Sequence, residues 1–156
     1  MFPRPPIERT RGGVVRLRLS DGERELLRGL PAELGALLDA DPDDPALRRL
    51  HPPAYEDDAE DEAEFCRLTA RELDEGRREA LRVLAETADR DRLSATELEA
   101  WLRALTDLRL VLGTRLDVSE ATYERDIDPA DPQAYELSVF LYLTWLLENA
   151  VAAASD

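Results

Sequence analysis

The sequence predicts a mainly α protein, a bundle of about four to six helices carrying a short N-terminal β-hairpin. Three observations lead there. Apolar residues recur at helical spacing in several long segments, and two Ser-x-x-Glu signals open two of those segments. The pair Gly12-Gly13 separates two short stretches, the second of which alternates apolar and charged residues. At 156 residues and 44% hydrophobic content, the chain is expected to form one domain over residues 1–156, with a core that needs neither disulfide nor metal.

Residues 1–6 contain three prolines and are expected to be an irregular arm. Ile7 to Arg11 and Val14 to Leu19 read as the hairpin strands, so that residues 1–19 form an N-terminal arm and hairpin. Both turn glycines are expected to supply positive φ. Ser20 with Glu23 is a capping box. The helix it opens carries Leu26, Leu27, Leu30, Leu34, Leu37 and Leu38, with Gly29 and Pro31 expected to kink or break it. Residues 39–56 read as a Pro/Asp-rich linker containing a short helix from Pro45 to Leu50. Seven acids then fall between Glu56 and Glu64 and lead into a long helix ending near Ala88. Phe65, Leu73, Gly76, Ala80, Val83 and Leu84 mark the expected apolar stripe of that helix.

Ser94 with Glu97 is the second capping box. It opens a helix whose apolar face is Leu98, Trp101, Leu102, Leu105, Leu108 and Leu112, with Gly113 as the expected C-cap. Ser119 to Arg125 reads as a further short helix, and Asp128-Pro129 and Asp131-Pro132 break the chain after it. The last helix, from about Pro132 to Ala153, is apolar around nearly its whole circumference. Such a helix is either central to the bundle or partly an interface for a partner, which makes a homodimer through it an expectation.

Charge narrows the function classes. There are 35 acids against 20 bases, every base is Arg, and the net charge is −15. Such a molecule repels DNA phosphates and anionic lipid, so direct DNA binding is doubtful and a protein partner is favoured. The one basic patch is the N-terminal arm, where Arg4, Arg9, Arg11, Arg16 and Arg18 are offset only by Glu8. Arg9, Arg11, Arg16 and Arg18 are candidates for contact with nucleic acid or a partner; docking on the protein's own acidic linker or on a dimer partner is the favoured alternative. The apolar run Leu137–Leu147 is too short to span a bilayer, and the N-terminus lacks the apolar run of a signal peptide. With a single cysteine, the expected location is the cytoplasm.

Little in the residues points to catalysis, and the chain is not expected to be an enzyme or to take a cofactor or metal. His51 is the lone histidine and reads as a solvated loop residue. The acids Asp39, Asp41, Asp43 and Asp44 lack the glycine and closing Glu of a calcium loop. No phosphate-binding glycine loop and no nucleophile elbow is present. Cys66 is either a small hydrophobe at the edge of the apolar stripe or a redox-sensing thiol; the nearby acids oppose the low pKa that sensing wants, and Arg67 favours it. Arg109 lies within the apolar face of its helix and must snorkel or meet a carboxylate there.

The stretch Trp101-Leu-Arg-Ala-Leu-Thr-Asp107-Leu-Arg109-Leu-Val-Leu-Gly113-Thr-Arg115-Leu-Asp-Val118 resembles the signature of the actinobacterial AosR-like family, long catalogued as a domain of unknown function. The Gly-Gly hairpin, the Leu-Ser-Asp-Gly-Glu-Arg helix start, the acidic Pro-rich linker and the Trp/Leu-rich last helix extend the likeness over nearly the whole chain. The resemblance implies a non-enzymatic transcriptional regulator responsive to oxidative stress, with a sigma factor or RNA polymerase as a partner. It marks Trp101, Asp107, Arg109, Gly113 and Arg115 as the family motif, read here as a structural ion-pair segment. It further implies a sensing disulfide between two nearby cysteines. This chain has only Cys66, so an intermolecular disulfide or an oxidised thiol would have to serve in its place.

Overall fold

A computed structural model describes residues 3–50, 60–124 and 127–155; the side chains of 60–63, 65, 66, 123 and 124 lie outside that description. Two antiparallel strands, β1 (Ile7–Arg9) and β2 (Val15–Leu17), pair with Ile7 opposite Leu17 and Arg9 opposite Val15. Ile7, Val15 and Leu17 are buried, as alternation on a half-buried strand requires. Between them, Gly13 takes φ 81°, and the Thr10 N–H donates to the Val14 carbonyl at 2.8 Å. Gly12 does not share that conformation, so one glycine carries the turn where two were expected. A third strand, β3 (Arg92–Leu93), adds antiparallel to β2, giving the order β1-β2-β3.

Helix α1 (Asp21–Ala40) opens on the Ser20–Glu23 capping box, both arms of which form. It runs unbroken through Pro31, against expectation. Leu27, Pro31, Leu34 and Leu38 fall at i, i+4, i+7 and i+11 and are all buried, so the proline ring belongs to the core stripe. Tertiary packing of that stripe outweighs the roughly 3 kcal/mol that proline costs inside a helix. The segment expected as linker contributes a 3-10 turn, Pro45–Leu50, whose Ala46, Leu47 and Leu50 are core residues. His51 and the first part of the acidic run lie outside the described residues.

Helix α2 (Glu60–Thr87) buries Arg77, Ala80, Leu81, Leu84 and Thr87 toward its C-terminal end, and Ala88 just beyond it is buried too. The stripe is thus rotated from the expected one: Leu73 is exposed and Arg77 is buried beside it. Arg24 of α1 caps this end, donating to the carbonyls of Ala88 at 3.1 Å and Arg90 at 2.7 Å.

Helix α3 (Ala95–Arg115) starts on the Ser94–Glu97 capping box and is the central element, packed against α2, the 3-10 turn and the last helix. Leu98, Trp101, Ala104 and Leu105 are essentially sealed from solvent. It ends two residues beyond Gly113, in a Schellman motif. The Val118 N–H reaches the Gly113 carbonyl at 3.0 Å, the Asp117 N–H reaches Thr114, and Asp117 holds the left-handed position with φ 52°. Gly113 therefore lies inside the last turn of the helix and is not the C-cap. Helix α4 (Glu120–Glu124) is a single short turn within the expected 119–125 span.

Helix α5 (Ala134–Ser155) buries Val139, Phe140, Leu143, Leu146, Ala150 and Ala153, chiefly against α3 and β1. Tyr135, Trp145 and Val151 of this helix remain exposed. The apolar run read as too short for a bilayer belongs to a 22-residue helix that is long and apolar enough to cross one by length and composition. Arg9 of β1 donates from Nε to the Ala153 carbonyl at 2.8 Å, capping the end of α5.

Candidate functional site

The motif residues on α3 are the natural place to look for a site, and they diverge around the helix toward different neighbours. Trp101 is fully buried, and its indole N–H donates to the Thr87 hydroxyl of α2 at 2.6 Å. Asp107 faces α2 as well, where Arg77 Nε stands 3.4 Å from Asp107 Oδ2. No aligned hydrogen bond links those two atoms, so the contact is one of charge. Arg77 also donates to the Leu50 carbonyl at 2.8 Å and thereby ties the 3-10 turn to α2 and α3. Burial pushes the Asp107 carboxyl above the usual carboxylate range, and Arg77 and Arg103 pull it back only in part. Arg103 reaches α2 by lying against Gly76, where any Cβ would fall within 2.6 Å of a guanidinium nitrogen.

The other face of the motif meets α5. Arg109 Nε donates to the Thr144 hydroxyl at 2.8 Å, and its guanidinium lies 5.4 Å from the centre of the Phe140 ring. Gly113 admits the same ring: a Cβ there would stand 3.0 Å from Phe140. The Arg109 guanidinium thus lies along α5, and the cation facing Asp107 comes from α2. Arg109, Gly113 and Phe140 also line a cleft of about 210 Å³ with Arg49, Ser119 and Glu120. Arg115, by contrast, is exposed, on the rim of a groove between α1 and α5.

The arginines of the N-terminal arm divide. Arg9 is used on Ala153, and Arg18 pairs with Glu8 and reaches the Pro5 carbonyl. Arg11 is exposed at the turn and Arg16 is half-buried. The side chain of Cys66 lies outside the described residues, as does His51. Among the described residues no group of three or more potential metal-ligating side chains comes together.

Sequence reasoning missed Arg77, Arg103 and Phe140. Only an arginine falling on an apolar stripe, one turn before Ala80 and Leu81, hinted at the first of them.

Residues 4–154 match the family described as "Domain of unknown function (DUF2017)". The chain is 33% identical over 129 residues to the "Putative oxidative stress regulator AosR" of Mycobacterium leprae (strain TN), covering 72% of this chain and 59% of that protein. It is 32% identical over 127 residues to the "Oxidative stress regulator AosR" of Mycobacterium tuberculosis (strain ATCC 25618 / H37Rv), covering 70% of this chain and 58% of that one. The chain therefore spans about three fifths of the length of the curated relatives it matches. No solved structure matches it. With the Trp101–Arg115 segment tying α3 to both neighbours and the match running over 4–154, the chain belongs to the DUF2017 family, and it is similar to mycobacterial proteins named as oxidative stress regulators.

Proposed function

We propose that this protein is a non-enzymatic regulator in the response to oxidative stress. It acts mainly through protein contacts with the transcription machinery, a sigma factor or RNA polymerase, in the cytoplasm. The observation that carries the reading is the likeness to two mycobacterial proteins named as oxidative stress regulators. Protein contact is favoured over DNA contact by the net charge of −15 and by the internal use of Arg9 and Arg18. The motif residues Asp107 and Arg109 support a structural role, since their side chains are engaged by α2 and α5.

Affinity capture from a native-like lysate, with and without peroxide, tests this directly. Enrichment of a sigma factor or polymerase subunit that changes with peroxide is the expected result. Recovery of neither under both conditions overturns it. If Cys66 carries the response, Cys66→Ser abolishes the peroxide dependence; identical behaviour of mutant and wild type removes the thiol from the mechanism. Direct DNA binding would show a steep salt dependence lost on changing Arg9, Arg11, Arg16 and Arg18 to Gln.

A second reading has its own support. Trp145 and Val151 are exposed apolar residues of α5, which suits a homodimeric scaffold with no direct role in transcription. Sedimentation of the wild type and of Trp145→Arg decides it, since the scaffold reading requires a dimer that the variant loses.

A further inference from the structure

We propose that the groove between α1, the end of α3 and the start of α5 docks a basic amphipathic helix of another protein. This rests on the reading that the protein works through protein contacts, and it names the surface and the chemistry of the partner.

The groove encloses about 680 Å³. Its floor is apolar: Leu26 and Leu30 of α1, Leu112 of α3 and Val139 of α5. A second hollow shares Leu30 and Leu112 with it and continues along α1 to Leu37. From Gly22 to Leu37 the two extend about 22 Å at 1.5 Å per residue, enough for four turns of a partner helix.

Gly22 and Gly29 line this floor one heptad apart. Glycine inside a helix costs about 1 kcal/mol relative to alanine. Gly76 and Gly113 answer that cost by admitting Arg103 and Phe140, whereas a Cβ on Gly29, as on Gly22 in the first turn and on Gly35 outside the groove, would meet no atom within 4 Å. Nothing inside the described fold uses the space over Gly22 and Gly29. A neighbouring helix would, because it could bring its backbone close to α1 there.

Charge selects the occupant. Glu25, Glu33 and Glu136 line the groove against Arg115 alone, and none of the four forms an ion pair with a described residue. Three unpaired carboxylates around an apolar floor match a helix that places leucine-like residues inward and Arg or Lys at its flanks. A second copy of this chain is a poor match. Its net charge is −15, and its one basic patch is a β-hairpin and not a helix.

The test uses the full chain and two synthetic 18-residue helices. Both carry Leu at i, i+4, i+7 and i+11, one with arginines beside the leucines and the other with glutamates. We expect the arginine peptide to bind at least about tenfold more tightly, a difference of about 1.4 kcal/mol, and to shift the backbone amides of 22–37 and 134–140. A Cβ at Gly29 meets no atom within 4 Å, so we expect Gly29→Gln to hold or raise the melting temperature while affinity falls about tenfold. Gly35→Gln, also on α1 but outside the groove, retains binding. Amide shifts spread over the acidic surface at large, or equal binding by Gly29→Gln and wild type, overturn the proposal. So does a wild-type dimer that Gly29→Gln converts to monomer, since the groove would then be a self-interface. Capture of a polymerase subunit that is indifferent to Gly29→Gln removes the groove and leaves the regulator reading standing. Docking of the arginine peptide in the groove without recovery of any transcription protein supports the groove and removes that regulator reading.

Discussion

The indole N–H of Trp101 donates to the hydroxyl of Thr87 at 2.6 Å, and that hydroxyl donates onward to the Val83 carbonyl at 2.6 Å. Both residues are sealed from water, so the relay is a polar link in the α2–α3 contact that solvent cannot replace. Thr87→Val keeps the volume and strands the indole donor. We expect a loss of about 1–3 kcal/mol, the cost of a buried unpaired donor. Urea unfolding checks it, with an unchanged slope against denaturant as the sign that compactness is preserved. Thr87→Ser, which keeps the hydroxyl, retains most of the stability.

Two glycines in two helices should respond in opposite directions to the same substitution. Gly29→Ala adds a methyl group to open space and should stabilise by about 0.5–1 kcal/mol through helix propensity. Gly113→Ala places that methyl group 3.0 Å from the Phe140 ring. Overpacking costs about 1–3 kcal/mol and outweighs the propensity gain. Thermal melts of the two variants, run side by side, should move apart by several degrees; movement in the same direction would refute the assignment of Gly113 to packing.

Asp107 gives a pH signature. Burial raises its folded pKa above the ordinary 3.8, despite Arg77 and Arg103. Its neutral form is thus favoured by folding, and the stability this contributes is fully present below the unfolded pKa. As pH rises from about 3.8 through the raised folded value, that contribution is lost. The stability of wild type minus that of Asp107→Asn should therefore be most favourable to wild type in acid and should decline toward neutrality. A difference that is flat with pH, or that grows toward neutrality, contradicts the burial argument.

Asp117 holds φ 52° in the Schellman motif that closes α3, a conformation in which most side chains are strained. Asp117→Gly should stabilise by a few tenths to about 1 kcal/mol by removing that strain. Asp117→Val, with branching at Cβ, should destabilise by more. Chemical denaturation of the pair measures the position.

Local chemistry was readable and long-range chemistry was not. Both capping boxes formed as written, because Ser20 with Glu23 and Ser94 with Glu97 are each complete within four residues. The hairpin was legible for the same reason. Strand β3 was not, since two residues define a strand only by pairing with β2. Pro31 misled because its local penalty is fixed while the packing that overrides it comes from elsewhere. Gly113 fitted a C-cap and a close contact equally well until the Phe140 ring decided between them. The motif itself was found in sequence, but its meaning was not. Asp107 meets an arginine thirty residues away, and Arg109 meets a threonine thirty-five residues away.

The bond from Arg9 to the Ala153 carbonyl joins residues 144 positions apart. It sets an order of events during synthesis. The hairpin leaves the ribosome before α5, yet the face of β1 that packs on α5 waits for that helix to emerge. Until then Ile7 and its neighbours are open to chaperones, to proteases and to other nascent chains. Such distant closure is slow, because loop entropy must be lost before the contact forms. Shortening the chain by even its last few residues should therefore be felt at its first strand.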